Sequence, residues 1–371
     1  MYNQRPSVLV ALISMSAGHF QENRTFMSYE DSGKTTTPPR MADVAKLAGV
    51  SKMTVSRVLA GRDVSERTQK LVHEAIETLG YLPDASAGTL ATGRSEFIVA
   101  LVPSLASSNF ADTVRGLNDA VSEHGLCLLL GDTDYHLEQE ALLVRTLLRH
   151  RPVGVMLTGS AHLDETRKLL RQAQVPVVET WDIPADPIEQ SVGFSNVAAA
   201  AALYEHLYQQ GYRRIGYIGG ASVLDHRGQQ RQQGYLQAVA ALGAGEPRVM
   251  EYGESPITMS HGGESVKRLL EKWPDTDAVM CVSDLSAFGA IMECHRQGRG
   301  VPEDIAIAGF GDFEVSRYCT PTITTVSVDP YRIGRRAGEL LVASAAAQRL
   351  GLPRPREFDV VEFKILARES T

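Results

Sequence analysis

MADVAKLAGVSKMTVSRVLAG, residues 41–61, decides how the rest of the chain is read. Ala42, Val44, Ala45 and Ala48 recur at helical spacing and give a first short helix its apolar face. Gly49-Val50 makes a corner, because glycine reaches φ > 0 without a Cβ clash. Ser51 is placed to cap a second helix by accepting a hydrogen bond from a free backbone N–H. Val55, Val58 and Leu59 form that helix's buried stripe, leaving Lys52, Met53, Thr54, Ser56 and Arg57 at or near its N-terminal end. Two helices joined in this way fit an ordinary amphipathic pair at a protein surface. They also fit a helix-turn-helix, whose second helix reaches base edges in the major groove while the first crosses the DNA backbone. The continuation favours the helix-turn-helix. A third helix is expected over Glu66–Leu79, with Ser65 as N-cap, Leu71, Val72, Ala75, Ile76 and Leu79 as apolar face and Gly80 as its stop. Tyr81-Leu82-Pro83-Asp84 then turns the chain into ASAGTLATGRS, residues 85–95, with Ala87 and Leu90 on one side.

The 371 residues suffice for two or three domains. A net charge of −7 is unusual for a DNA binder until it is divided. Residues 34–94 carry nine basic and six acidic side chains, net +3, and the remainder carries 28 and 38, net −10. That asymmetry fits a small nucleic-acid module on an acidic body. Cys127, Cys281, Cys294 and Cys319 show no C-x-x-C spacing; Cys127 and Cys281 sit in apolar strand-like runs and read as reduced core residues. No H-E-x-x-H occurs among ten scattered histidines, so neither a metal nor another cofactor is expected. No run approaches the roughly 18 apolar residues of a membrane span. Val8–Ile13 behind Arg5 only weakly resembles a secretory signal, so the expected location is cytoplasmic.

From Phe97 the pattern changes to apolar strand runs alternating with amphipathic helices. FIVALVP (97–103), LCLLLG (126–131), VGVMLTG (153–159) and VPVVET (175–180) form a first series. After VGFSN (192–196), the runs RRIGYIGG (213–220), DAVMCVSD (277–284) and DIAIAGFGD (304–312) form a second. Strands buried on both faces and joined by crossover helices make parallel α/β sheets, and two series imply two lobes. Ligands in such sheets bind beyond the carboxyl ends of the strands. That rule selects Ser104, Asn109, Phe110, Thr158, Ser160, Glu179, Asp182, Phe194, Asn196, Ser283, Asp284, Gly311 and Asp312. Each alone also serves as a helix cap or turn residue; their shared position is the stronger argument. Arg231, in QQRQQG beside the expected cleft, is the cation of the set. GYIGG lacks the G-x-G-x-x-G of a nucleotide-binding turn and no nucleophile–base motif is evident, so no catalytic residue is assigned and an enzyme is not expected.

DVAKLAGVSKMTVSRVL, then VSERT, LGYLP and A-x-x-L-A-x-G-x-S, resemble the headpiece of the lactose/galactose repressor (LacI/GalR) family. The resemblance covers about residues 40–366. It implies an N-terminal all-α helix-turn-helix headpiece, a hinge helix and a two-lobed α/β core like that of periplasmic binding proteins. The implied domains are a disordered extension at 1–37, a headpiece at 38–82, a hinge or linker at 83–95 and an effector-binding, dimerising core at 96–371. Lobe 1 is expected at about 97–191 and 322–350, and lobe 2 at about 192–321 and 354–371. KMTVSR, VPSLASSNFADTVRGL, VVETWD, VGFSN and CVSDLSAFGAIMECHRQG with VPEDIAIAGFGD are most similar to the gluconate repressors of that family.

The resemblance implies a homodimeric repressor that binds palindromic operator DNA and is released by a small effector, gluconate or 6-phosphogluconate. It places Lys52, Met53, Thr54, Ser56 and Arg57 on bases, with Leu90 wedged into the minor groove. It places Ser104, Asn109, Phe110, Thr158, Phe194, Arg231, Ser283 and Asp284 around the effector. Ser283 stands where many sugar binders of the family have Asn, and Gly311 where many have Asp; loss of that Asp favours an anion. Glu179 is the awkward member, either binding hydroxyls or facing away. Two departures are Ala60, where Asn is frequent, and Gly88, where Arg is frequent in the hinge helix. A periplasmic-type sugar-binding protein without DNA function is the alternative.

Overall fold

The computed structural model describes residues 12–13, 39–59, 61–81, 95–105, 107–219, 224–251 and 257–371. The chain divides into two units, Ser16–Ser95 and a second made of Met1–Met15 with Glu96–Thr371. The hinge expectation at 83–95, with Leu90 and Gly88, and Ala60 lie outside the described residues. So does most of the 1–37 segment.

In the small unit, α1 (Met41–Leu47), α2 (Lys52–Leu59) and α3 (Glu66–Leu79) enclose a core of Val44, Ala45, Ala48, Val55, Val58, Val72, Ala75 and Tyr81. The corner after α1 closes as the sequence reading requires. Gly49 has φ +66°, its N–H donates to Lys46 O at 3.4 Å, and Val50 N–H donates to Ala45 O at 3.0 Å. This double bond pattern satisfies two carbonyls left free at a helix end. Ser51 caps α2, its Oγ accepting from Thr54 N–H at 3.1 Å. Two expectations for α3 shift. Ser65 Oγ pairs with the Thr68 hydroxyl, 2.9 Å away, in place of a backbone N–H. Leu71 is 42% exposed, because α3 turns Val72 and Ala75 inward instead.

The large unit holds two sheets. The first runs β1 (Leu12–Ile13), β3 (Cys127–Asp132), β2 (Phe97–Val102), β4 (Gly154–Thr158), β5 (Val177–Thr180), β6 (Gln190–Gly193) and β12 (Phe358–Val360) in spatial order. Every pairing in it is parallel. The second runs β13 (Lys364–Leu366), β11 (Thr324–Ser327), β10 (Ala306–Phe310), β9 (Ala278–Cys281), β7 (Ile215–Ile218) and β8 (Arg248–Met250), with only β13 antiparallel. Helices α4 (Ser108–Ser122), α5 (Leu137–Leu148) and α6 (Asp164–Ala173) belong to the first lobe. Helices α7 (Asn196–Gln209), α8 (His226–Ala241), α9 (Met259–Lys272), α10 (Asp284–Arg296) and the short α11 (Glu314–Tyr318) belong to the second. Among the described residues no helix is long and apolar enough to cross a membrane.

The lobe boundaries differ from those read in the sequence. β11 lies in the second sheet although 322–350 was expected in lobe 1, and β12 lies in the first sheet although 354–371 was expected in lobe 2. α12 (Pro330–Arg349), packing on α4, and β13, in the second sheet, follow the expectation. The close approach is built from glycines: a Cβ on Gly116 would stand 2.1 Å from Tyr331 O, and one on Gly334 would stand 1.8 Å from Thr113 O. The chain therefore passes between the sheets after β6, after β11 and after β12. Such crossings leave no local signal, since strand partners are chosen by long-range pairing. Cys127 is also exposed rather than buried, because it opens β3 at the sheet margin.

Candidate functional site

In the small unit, the outward side of α2 carries Lys52, Met53, Ser56 and Arg57 as exposed side chains, with Met53 72% exposed. Thr54 is half-buried, its hydroxyl 2.9 Å from Ser51 Oγ. Val55 and Val58 fix the helix from beneath, so these residues stand on a rigid element without having been recruited to the core. An exposed methionine among basic and hydroxyl side chains offers both an apolar and a hydrogen-bonding surface to a groove.

In the large unit a cavity of about 460 Å³ opens between the two lobes. Its walls come from the carboxyl ends of the strands, as the topology rule demands. Ser104 follows β2, Tyr135 follows β3 and Trp181 follows β5; Ser107, Asn109 and Phe110 stand at the start of α4. From the second lobe come Asp225, Arg227 and Arg231 around α8, Ile257–Ser260 before and in α9, Val282, Ser283 and Leu285, and Phe310, Gly311 and Phe313 after β10.

Rings form the frame. Phe110 meets Trp181 edge-on at 5.4 Å, Trp181 meets Phe194 at 6.1 Å, and Phe194 stacks with Phe310 at 6.2 Å. Trp181 has φ +68°, a backbone conformation that costs a non-glycine residue energy and persists only where its surroundings fix it. Here its N–H donates to Val192 O at 3.1 Å, its indole N–H to Thr113 Oγ1 at 3.1 Å, and its carbonyl accepts from Asn196 Nδ2 at 3.0 Å. The indole is thereby held as a fixed wall.

Arg231 is tied into this frame. Its Nε donates to Asn196 Oδ1 at 2.9 Å, its Nη1 to Val282 O at 2.8 Å, and its guanidinium carbon lies 3.8 Å from the Phe310 ring centre. Burial pushes its pKa down, while Asp225 opposes that shift; a guanidinium nonetheless stays charged. Arg227 lies 5.1 Å from the Phe110 ring centre, reaching from the second lobe over the first. Asp225 caps α8 by accepting from Gly228 N–H at 3.0 Å. Burial raises the Tyr135 phenol above its ordinary value, so it remains neutral. Besides the Asn196–Trp181 bond, Asn109 Nδ2 donates across the lobes to Gly311 O at 2.9 Å, and Gln230 Nε2 to Asp182 Oδ2 at 2.9 Å.

Five of the eight effector residues named from sequence line the cavity: Ser104, Asn109, Phe110, Arg231 and Ser283. Three do not. Thr158 Oγ1 donates to Leu101 O at 3.0 Å, inside the sheet. Phe194 is fully buried behind Trp181 and Phe310. Asp284 is fully buried and props the far wall, accepting from Thr325 Oγ1 at 2.6 Å and from Phe313 N–H at 2.7 Å. Burial pushes its carboxyl up to about 7, against the pull of those two bonds. Each of the three stands at a strand end, but its side chain is consumed by the protein.

Glu179 faces away from the cavity: it accepts from Ile188 N–H at 2.5 Å and sits 3.4 Å from His162 Nε2. Asp312 is likewise taken by Arg317 and Arg368, at 2.7 and 2.6 Å. Gly311 is fixed by geometry as well as by charge. Its φ is +118°, and a Cβ there would stand 2.6 Å from the Phe313 ring and 2.8 Å from Asn109 Nδ2.

Sequence reasoning missed Trp181, Tyr135, Asp225, Arg227, Phe310 and Phe313. One signal was available: Arg227 precedes Arg231 by four positions, which puts both on one face of α8.

Residues 40–84 match the model of the bacterial regulatory proteins of the lacI family, and residues 204–371 match the periplasmic binding protein-like domain. The chain is 34% identical to the HTH-type transcriptional regulator GntR of Pseudomonas aeruginosa, over 91% of this chain and 97% of that protein. A LacI-family transcriptional regulator from Silicibacter pomeroyi superimposes with a TM-score of 0.82 at 31% identity, covering 90% of this chain and 99% of that one. The transcription regulator GntR from Chromobacterium violaceum gives a TM-score of 0.68 at 34% identity, covering 74% and 98%.

Proposed function

The chain belongs to the lacI family of bacterial regulatory proteins, DNA-binding transcriptional regulators and not enzymes, and from that premise we propose that it is a cytoplasmic repressor of sugar-acid metabolism. Its effector is gluconate or a close relative, bound between the lobes. Family membership, with a headpiece matched at 40–84, displaces the periplasmic alternative. The observation that carries the effector class is the pair of guanidiniums, Arg227 and Arg231, lining one cavity whose only lining carboxylate among the described residues is Asp225. A sugar acid needs a cation for its carboxylate, polar groups for its hydroxyls and flat apolar faces for its C–H surfaces. Asn109, Ser104 and Ser283 supply the second, and Trp181 and Phe310 the third.

On the DNA side the protein acts as a homodimer on two half-sites of a palindrome. Lysine and arginine contacts to phosphates supply salt-dependent affinity. Lys52 donates to guanine, Arg57 makes a bidentate contact to guanine, Met53 packs on a thymine methyl, and Thr54 and Ser56 complete the contact. Leu90 wedges into the minor groove. The effector couples to DNA by favouring one lobe arrangement over another, a differential contact between two states. The clasps Asn109–Gly311 and Asp182–Gln230 are the contacts such a change would make or break.

A thermal-shift screen of the full chain with gluconate, 6-phosphogluconate, 2-ketogluconate and neutral sugars tests this reading, because a ligand that binds only the native state raises its apparent stability. Stabilisation by a sugar acid, with release of operator DNA in a gel shift at the same concentration, is expected. Stabilisation by neutral sugars alone would overturn the effector class.

A further inference from the structure

We propose that Arg227, and not Arg231, is the anchor for the effector's carboxylate, and that the cavity selects a monoanionic sugar acid over its phosphorylated form. This rests on the reading of the cleft as a sugar-acid site and adds which cation does the binding and which acid fits.

A bidentate grip on a carboxylate uses two parallel N–H groups along one edge of a guanidinium. Arg231 is already engaged through two of its three nitrogens: Nε donates to Asn196 Oδ1 and Nη1 to Val282 O. One face is covered by Phe310. Those bonds join α7, α8 and the end of β9, so Arg231 acts chiefly as a brace that positions the cavity wall.

Arg227 is the opposite case. It is 7% exposed and lines the cavity. Among the described residues it makes no ion pair, and its Nη1 is buried without a hydrogen-bond partner. Its neighbour Asp225, two positions earlier, spends Oδ1 on the α8 cap. A buried cation left in this condition is costly, and an anion that supplies the missing acceptors relieves the cost. Arg227 also reaches across to Phe110 of the first lobe. A carboxylate held there would touch the second lobe through Arg227 while its carbon chain lies along first-lobe rings.

The charge count selects among acids. Among the described residues the charged ones lining the cavity are Arg227, Arg231 and Asp225, net +1, with Tyr135 neutral. Asp182 stands beside the cavity but is spent on Gln230 and Ser160. One carboxylate balances the lining. A phosphate adds roughly two further negative charges, for which the described lining offers no third cation.

Isothermal titration of the full chain with sodium gluconate, D-gluconamide and 6-phosphogluconate tests both parts, using the parent, R227Q and R227K. The parent is expected to bind gluconate at least 30-fold tighter than the uncharged amide or the phosphorylated acid. R227Q is expected to lose about 100-fold for gluconate, in the range for removing one partner of a buried charge pair, and to bind acid and amide alike. R227K keeps the charge and is expected to recover the preference for acid over amide. The parent's own acid-to-amide ratio remains decisive if R227Q does not fold. Parental gluconate affinity in a folded R227Q would overturn the Arg227 assignment and leave the sugar-acid reading standing. A parent that prefers 6-phosphogluconate would overturn the charge selection. A parent that binds none of the three while still binding operator would overturn the sugar-acid reading and this assignment with it.

Discussion

In the first lobe, His162 lies between two buried carboxylates, and its removal has a calculable cost. Its Nδ1 stands 2.8 Å from Glu140 Oε1 and its Nε2 3.4 Å from Glu179 Oε1, with no exposed surface on the His162 or Glu179 side chains. Arg167 Nη2 is 3.8 Å from the same Glu179 oxygen. Burial alone would push the imidazole pKa down from 6.5. The hydrogen bond to Glu140 and the closeness of Glu179, with the charges of both, outweigh burial and hold it up to about 9. A group whose folded pKa exceeds its unfolded value stabilises the fold fully below the unfolded value, here 6.5, and loses that contribution as the pH rises through about 9. At 1.36 kcal/mol per unit, the contribution is about 3 kcal/mol. His162→Gln removes the cation and leaves two buried carboxylates facing each other. Urea unfolding of parent and variant, followed by Trp181 fluorescence in a Trp273→Phe background, reports this lobe, since Glu179 lies two residues before Trp181 on the same segment. At about pH 6 the parent is expected to exceed the variant by about 3 kcal/mol, and by about pH 9.5 the gap is expected to close to within about 1 kcal/mol. Parallel pH dependence in the two proteins across this range would refute the bridging role of His162.

Replacing Arg57 by Ala removes one base contact and is expected to weaken operator binding by about 1–3 kcal/mol at fixed salt; an unchanged affinity in a filter or gel-shift titration would show that Arg57 does not read bases. Gly311→Ala sets a Cβ against Phe313 and Asn109 at a positive φ. It is expected to lower stability by about 1–3 kcal/mol and to weaken gluconate binding through the Asn109 clasp, both measurable by melting with and without ligand. Sedimentation of the full chain at micromolar concentration is expected to show a dimer; a stable monomer would count against recognition of paired half-sites.

The headpiece could be read from sequence because its structure is local. Its helices are short, its corner is a glycine whose dihedral only glycine adopts cheaply, and its cap is a serine adjacent to the helix it caps. The alternation of apolar runs and amphipathic helices likewise announces parallel α/β lobes, and a parallel sheet gathers its ligand groups at the strands' carboxyl ends. Those facts picked out Ser104, Asn109, Phe110 and Ser283 before any coordinates, and the family resemblance added Arg231.

Tertiary structure alone decided which polar groups were already spent. Thr158, Glu179, Asp284 and Asp312 have the composition of ligand contacts, yet other groups of the protein take their hydrogen bonds, for Thr158, Asp284 and Asp312 from far away in sequence. It also decided that β11 and β12 exchange sheets, and that Trp181, despite its positive φ, forms a wall of the cleft. The same holds for the two arginines, which one helical turn of sequence makes equivalent. Contacts with Asn196, Val282 and Phe310 make Arg231 a brace, while Arg227 keeps its buried donor unpaired. A sequence names the donors and acceptors a chain carries. Which of them stay free for a ligand is a matter of long-range packing, because each bond made inside the protein removes one that could be made to something else.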